Sequence, residues 1–219
     1  MQSYQRCVDY WDDVFSQEDD TIPKDGSIGN PALEEAIEWV CASTQRLLDF
    51  GCGNGVMLML CSYHGTRDHL GIDLSCEAIR SAEKKAAQMP FGRYDFLQGG
   101  VSVLAEQSDH SFDAVILSNI VDNLYPDDAK TLLSECVRIL KPNGKALVKL
   151  NPHLSSSQIE QWGIQILEGD LLDDGLLLWN QTTEQWRDLF EQYFMIYRQS
   201  EVYYPEHDQT NRLFLLTKA

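Results

Sequence analysis

Positive charge is scarce in this 219-residue chain: 17 lysines and arginines stand against 34 aspartates and glutamates, a net charge of −17. Gripping nucleic acid needs a cationic surface, so the deficit argues against DNA as a partner. It equally disfavours anionic membrane surfaces and polyanionic substrates, which leaves neutral or cationic partners. No run approaches the ~18 apolar residues of a membrane span. The opening MQSYQRCVDYWDD lacks the basic-then-apolar layout of a signal peptide. A cytoplasmic protein is therefore the expectation. The cysteines at 7, 41, 52, 61, 76 and 136 form no C-x-x-C pair, and the histidines do not cluster. That spacing gives neither a metal framework nor a disulfide scaffold. Cysteines inside apolar stretches serve as small hydrophobes. Internal repeats and low-complexity tracts are missing as well.

What is present is an ordinary globular balance, 43% apolar and 23% charged, in a length that suits one α/β domain. From 45 to 150, short apolar runs alternate with longer amphipathic ones. RLLDF (46–50), DHLGID (68–73), RYDFLQ (93–98), FDAVILS (112–118) and KALVKL (145–150) read as strands. Between them, VMLMLCSYHG (56–65) reads as a helix stopped by Gly65. SCEAIRSAEKKAAQM (75–89) reads as one capped by Ser75, and PDDAKTLLSECVRIL (126–140) as one opened by Pro126. KPNG (141–144) reads as a turn. Such alternation implies parallel β-α-β units and a doubly wound sheet.

The ends differ from this core. Residues 1–42 read as a helical cap, two helices joined by EDDTIPKDGSIGN. Tyr4, Trp11 and Phe15 recur there at near-helical spacing, which predicts packing onto the domain. Residues 151–186 read as an insertion after strand five, containing a hairpin of GIQILEG and GLLLWN around Asp173 and Asp174. A helix TEQWRDLFEQY and two more strands, FMIYRQSEVYY and NRLFLLTK, complete the sheet. Neither end looks independent, so the expectation is a single domain over 1–219, with its core at 45–150.

LLDFGCGNG (47–55) carries the chemistry. An apolar strand ends in Asp49, and glycines follow at 51, 53 and 55. Bare backbone lets the chain turn sharply and approach a ligand closely. In a doubly wound sheet this first strand-to-helix turn is where ligands bind. A dinucleotide site usually reads G-x-G-x-x-G, its pyrophosphate resting on the helix N-terminus. Here the spacing is G-x-G-x-G, and a carboxylate stands ahead of it. That carboxylate would repel a pyrophosphate and suit a cationic amino acid.

On these residues the sequence resembles the class I methyltransferases that use S-adenosylmethionine (SAM). LLDFGCGNG matches that family's first motif and LGIDLS (70–75) its second, while SFDAVILSNIVDNL (111–124) and RILKPNGKALV (138–148) match the later ones in order. The resemblance covers roughly 45–150, and it implies a Rossmann-like, mostly parallel sheet of seven strands with the last antiparallel. It implies SAM as cofactor and S-adenosylhomocysteine (SAH) as product. Asp49 would meet the methionine ammonium, with Gly51, Cys52 and Gly53 at that end. Asp73 would accept from the ribose hydroxyls, and Leu74 would lie against the adenine, edged by Gly99, Gly100 and Val101. Many relatives carry an acid at that edge, where this chain has QGGVSVL.

SAM brings its methyl already activated, so the protein must chiefly align a nucleophile and exclude water. Ser118, Asn119 and Ile120 follow strand four, whose end faces the methyl in this family. SNIVDNL lacks the prolines and aromatic of the DNA-amine methyltransferases. Asn119 and His153 are the catalytic candidates, His153 as a base on the loop after strand five. The segment IPKDGSIGN (22–30) is polar enough to close over the cofactor, and Trp162, Trp179 and Trp186 to wall an acceptor pocket or anchor the insertion. The other histidines, 64, 69, 110 and 207, read as surface residues. The expected reaction is methyl transfer to N, O or S of a small molecule. An idle SAM-binding or scaffold protein, a protein or RNA methyltransferase, and aminopropyl transfer on a related fold are the alternatives. The sequence is silent on oligomeric state.

Overall fold

A computed structural model describes residues 4–219. In chain order its strands are β1 (Arg46–Phe50), β2 (Asp68–Asp73), β3 (Arg93–Gln98), β4 (Phe112–Ser118), β5 (Leu140–Leu150), β6 (Gln165–Glu168), β7 (Leu171–Asp173), β8 (Leu177–Trp179), β9 (Met195–Tyr204) and β10 (Gln209–Thr217). The helices are α1 (Gln5–Ser16), α2 (Pro31–Cys41), α3 (Val56–Tyr63), α4 (Cys76–Ala86), α5 (Pro126–Ile139), α6 (Ser156–Trp162) and α7 (Thr183–Phe190). Seven strands form one sheet in the order β3-β2-β1-β4-β5-β10-β9. All neighbours pair in parallel except β10, which runs antiparallel to β5 and β9. The order reverses between β1 and β4, which places the crevice above those two strands.

Strand alternation sends successive side chains to opposite faces, and both faces are covered. Leu47 joins Ile37, Val40, Leu58 and Leu147 on the α2–α3 side. Leu48 joins Val115, Leu117, Leu132, Leu133 and Trp186 on the α5–α7 side. The central strands therefore read as near-continuous apolar runs. Local signals fix the helix ends: the Ser75 hydroxyl accepts from the Ala78 amide, and Gly65 takes φ 98° just past α3.

Three expectations need correction. KPNG is not a turn before strand five but a bulge inside it: Phe112 pairs with Leu140, yet Ala114 pairs with Lys145. Asn143 takes φ 60° there, and Pro142 has no N–H for a regular ladder. The insertion is a three-stranded meander, β6-β7-β8, because the 171–173 arm pairs with both neighbours. His69 is buried, not superficial: its ring nitrogens lie 2.7 Å from Thr66 Oγ1 and 3.0 Å from the Arg93 carbonyl, and burial lowers its pKa to about 4.

Candidate active site

A cavity of about 490 Å³ opens at the carboxyl ends of β1, β2 and β4, at the reversal of strand order. A wider groove of about 770 Å³ runs along edge strand β3, lined by Arg46, Asp68 and Arg93 at the opposite ends of the strands. It holds none of the glycine turn, so size is a poor guide to the chemistry here. Among the described residues no helix is long and apolar enough to cross a membrane, and no metal-binding cluster forms.

The cavity floor is the turn after β1. Gly51, Gly53 and Gly55 take φ of 75°, 51° and 76°, the left-handed region that a Cβ disfavours. A Cβ on Gly51 would lie 2.9 Å from Ile120 Cγ1, and one on Gly53 2.9 Å from Phe15 Cζ. Asp73, at the end of β2, ties the turn to the next helix. One of its oxygens accepts from the Gly53 amide and the other from the Ser75 amide, both at 2.9 Å. Burial raises its pKa despite those bonds. Leu74 packs against Gly100, where a Cβ would lie only 3.4 Å from Leu74 Cδ2, and both line the cavity.

The roof is α1. Tyr4, Cys7, Val8, Trp11 and Phe15 line the cavity, and no residue of α1 is buried against the core. The spacing of Tyr4, Trp11 and Phe15 predicts packing onto the domain; Tyr4 does pack against the core and Phe15 against the Gly53 turn, and all three also line the cavity. At one end the Tyr4 hydroxyl donates to Asp128 (2.6 Å) and accepts from the Tyr125 amide (3.0 Å). Further along, Asp12 accepts from the Ser75 hydroxyl (2.5 Å) and the Glu77 amide (3.2 Å). Arg6 reaches the β7–β8 hairpin, pairing with Asp173 and donating to the Gly175 carbonyl. Leu176 of that hairpin completes the roof.

The segment 22–30, expected over the cofactor, lies elsewhere. Tyr63 donates to the Pro23 carbonyl, the His64 ring meets the Gly26 carbonyl, and Asn30 donates to the Tyr203 carbonyl. These contacts hold it against α3 and β9. Ligand binding is thus expected to slow amide exchange in 4–16 and leave 22–30 unchanged, as read by hydrogen exchange with and without SAH. Arg6→Ala is expected to speed exchange across α1 in the free protein, with little loss of stability, because the arginine is largely exposed.

Residues 48–148 match the family model described as "Methyltransferase domain". That stretch, just under half of the chain, is similar to a methyltransferase domain. Its relatives include a Ubiquinone biosynthesis O-methyltransferase from Albidiferax ferrireducens, 31% identical over 52% of this chain and 45% of that one. A ribosomal protein methyltransferase from Burkholderia cenocepacia is 28% identical over 55% of this chain and 37% of its own length. The chain thus spans less than half the length of either relative. Among solved structures, a 1,6-didemethyltoxoflavin-N1-methyltransferase from Burkholderia thailandensis, bound to its substrate and S-adenosylhomocysteine, superposes with a TM-score of 0.71. The overlap covers 100% of this chain and 91% of that one at 18% identity, a likeness of fold.

Within the matched stretch, most sequence-predicted residues converge. Gly51, Gly53, Asp73, Leu74, Gly99, Gly100, Val101, Ser118, Asn119 and Ile120 all line the cavity. Asn119 takes φ 54°, its amide donating to the Lys149 carbonyl and its Oδ1 accepting from Asn211. Three residues are not brought there. Cys52 turns its sulfur beneath the sheet, 2.8 Å from where a Gly71 Cβ would sit. His153 is exposed on its loop, outside the lining. Asp49 lies under the floor, 2% exposed, with Oδ1 unpartnered; burial first, then Asp73, raises its pKa to about 8. The tryptophans do not wall the cavity either. Trp186 stacks on Phe190 in the core, Trp179 meets Trp186 edge-on, and Trp162 is exposed.

The donor set fits SAM. A bare glycine turn, a carboxylate aligned by two backbone amides and an orphaned acid beneath the floor suit a cofactor with hydroxyls and positive charge. Among the described residues no lysine or arginine lines the cavity to receive a pyrophosphate.

Proposed function

We propose that this protein transfers a methyl group from SAM to a nitrogen, oxygen or sulfur nucleophile of a small molecule. The observation that carries the reading is the clamp of Asp73 on the glycine turn, at the floor of a cavity roofed by α1. When bound, SAM supplies a methyl activated by its sulfonium. Asp73 keeps lone pairs on both oxygens for the ribose hydroxyls, after each has accepted one backbone amide. Leu74, Gly100 and Val101 line the adenine end of the cavity. Gly51 and Gly53 let the methionine end approach the backbone, and Asp49 places negative charge beneath it. Ser118 and Asn119 stand where strand four ends, and position the nucleophile. The roof of α1 and Leu176 excludes water from the transfer. His153 takes no part.

A roofed cavity of about 490 Å³ favours a small acceptor over a polymer, and the excess of acid favours a neutral or cationic one. The names of the O- and N-methylating relatives point the same way, while the ribosomal protein methyltransferase keeps a protein acceptor as the second reading. Incubation with methyl-labelled SAM and separate metabolite, protein, tRNA and DNA fractions tests it. Label in the metabolite fraction is expected; label in a polymer fraction would overturn the acceptor class, and label nowhere would favour an idle binder. Asp73→Ala is expected to weaken SAH binding by about 1.5–3 kcal/mol, the range for hydrogen bonds to a charged group. NAD is expected not to bind. Calorimetry giving the same affinity for both proteins would remove Asp73 from the site.

A further inference from the structure

The cavity has two ends, and α1 measures the distance between them. Phe15 sits against Gly53, whose amide bonds Asp73, whereas Tyr4 bonds Asp128. A helix rises about 1.5 Å per residue, so Tyr4 and Phe15 stand about 16 Å apart. Among the described residues, the only formal charges on the lining are the carboxylates at those two ends, Asp73 and Asp128. The first belongs to the cofactor in the reading above, on which this inference rests. The second has no function in it.

The polar groups around Asp128 are already engaged. The Asn123 side chain donates to the Leu177 carbonyl at 2.6 Å and accepts from Asn151 at 3.2 Å. Tyr4 both donates and accepts, and its phenol stays protonated because burial and the bond to Asp128 raise its pKa. Tyr4 occupies only Oδ2 of Asp128. Among the described residues Oδ1 has no hydrogen-bond partner, and no cation pairs with the carboxylate. The same cavity is walled by the apolar side chains of Val8, Ile120, Leu124 and Leu176. A half-buried carboxylate in apolar surroundings gains most from a cationic or N–H-bearing partner.

We propose that Asp128, oriented by Tyr4, recognises the methyl acceptor, and that the acceptor is an apolar molecule carrying a cationic nitrogen. Tyr4 is a positioning residue: it fixes one carboxylate oxygen so that the other meets the ligand.

The probes are benzylamine, benzyl alcohol and benzoate, similar in shape and differing in charge. Each is titrated onto protein saturated with SAH and followed by calorimetry. Benzylamine is expected to bind at least about tenfold more tightly than benzyl alcohol, as befits a charge-assisted hydrogen bond. Benzoate is expected not to bind. Asp128→Asn, whose amide oxygen still accepts from Tyr4, should bring benzylamine to the level of benzyl alcohol. SAH affinity should stay within about twofold, which also reports an intact fold. Tyr4→Phe should lose part of the benzylamine preference with SAH binding likewise retained. Absent benzylamine binding, equal binding of benzyl alcohol or benzoate, or an unchanged preference in Asp128→Asn would overturn the proposal. So would a marked loss of SAH affinity in that variant, since Asp128 would then belong to the cofactor end. Failure of the parent protein to bind SAH at all is a separate result, and it overturns the methyltransferase reading itself.

Discussion

Gly53→Val is expected to abolish measurable SAM and SAH binding, a loss of ~3 kcal/mol or more, while the sheet stays folded. Gly53 takes φ 51°, where a β-branched residue is strained by about 1–2 kcal/mol. Its Cβ would also stand 2.9 Å from Phe15, on the roof that covers the cofactor. The turn can escape only by leaving the left-handed region, and that takes the Gly53 amide away from Asp73. Floor, roof and ribose-facing carboxylate are thereby disturbed together. Gly53→Ala meets the same first atom without the two methyls and should fall between parent and valine. Calorimetry with SAH, beside thermal unfolding, separates the outcomes. Full affinity in Gly53→Val would mean that the cofactor lies elsewhere.

The floor of this site was legible from sequence because it is local. Strand, glycine turn, helix and second strand lie within residues 46–75, so the spacing of Asp49, Gly51, Gly53 and Asp73 carries most of the geometry. A helical cap over 1–42 was legible too, but its contacts were not, because they are made with distant partners. Tyr4 meets Asp128, 124 residues away, and Arg6 meets Asp173, 167 residues away. An apolar stripe on α1 looks the same whether it faces core or cavity. The polar segment at 22–30 reads as a lid only because composition hides the contacts of Tyr63 and Asn30 that hold it down. The three tryptophans likewise differ in context alone. Trp186 and Phe190 stack on one face of α7, and Phe190 meets Phe214 on the sheet, while Trp162 ends a short helix in solvent. His69 was misread because the carbonyl and hydroxyl that satisfy its ring come from Arg93 and Thr66, and nothing in the strand pattern announces them.

Asp49→Asn is expected to act in opposite directions on the free and the bound protein. In the free protein the Asp49 carboxyl is buried with Oδ1 unpartnered and Asp73 nearby, and its pKa rises to about 8 from an ordinary 3.8. The folded state thus holds a proton that the unfolded chain has released. Relative to asparagine, aspartate costs no stability below the unfolded pKa. The cost then grows with pH, by about 1.4 kcal/mol per unit, until it levels above the folded pKa. Whatever penalty the asparagine amide incurs by lacking partners is independent of pH, so it shifts the difference curve without changing its slope. Chemical denaturation of both proteins from about pH 5 to 9 should therefore give a gap that widens in favour of the variant up to about pH 8. Bound SAM reverses the preference, because its positive charge above the turn favours the ionised carboxyl. Binding to the parent should then release a proton near neutral pH, seen as a calorimetric enthalpy that depends on the buffer, and affinity should rise with pH to about 8. The variant should bind more weakly and without that dependence. Parallel stability curves for the two proteins would mean that Asp49 ionises normally in the fold, and equal, pH-independent affinities would mean that no positive charge is bound above it.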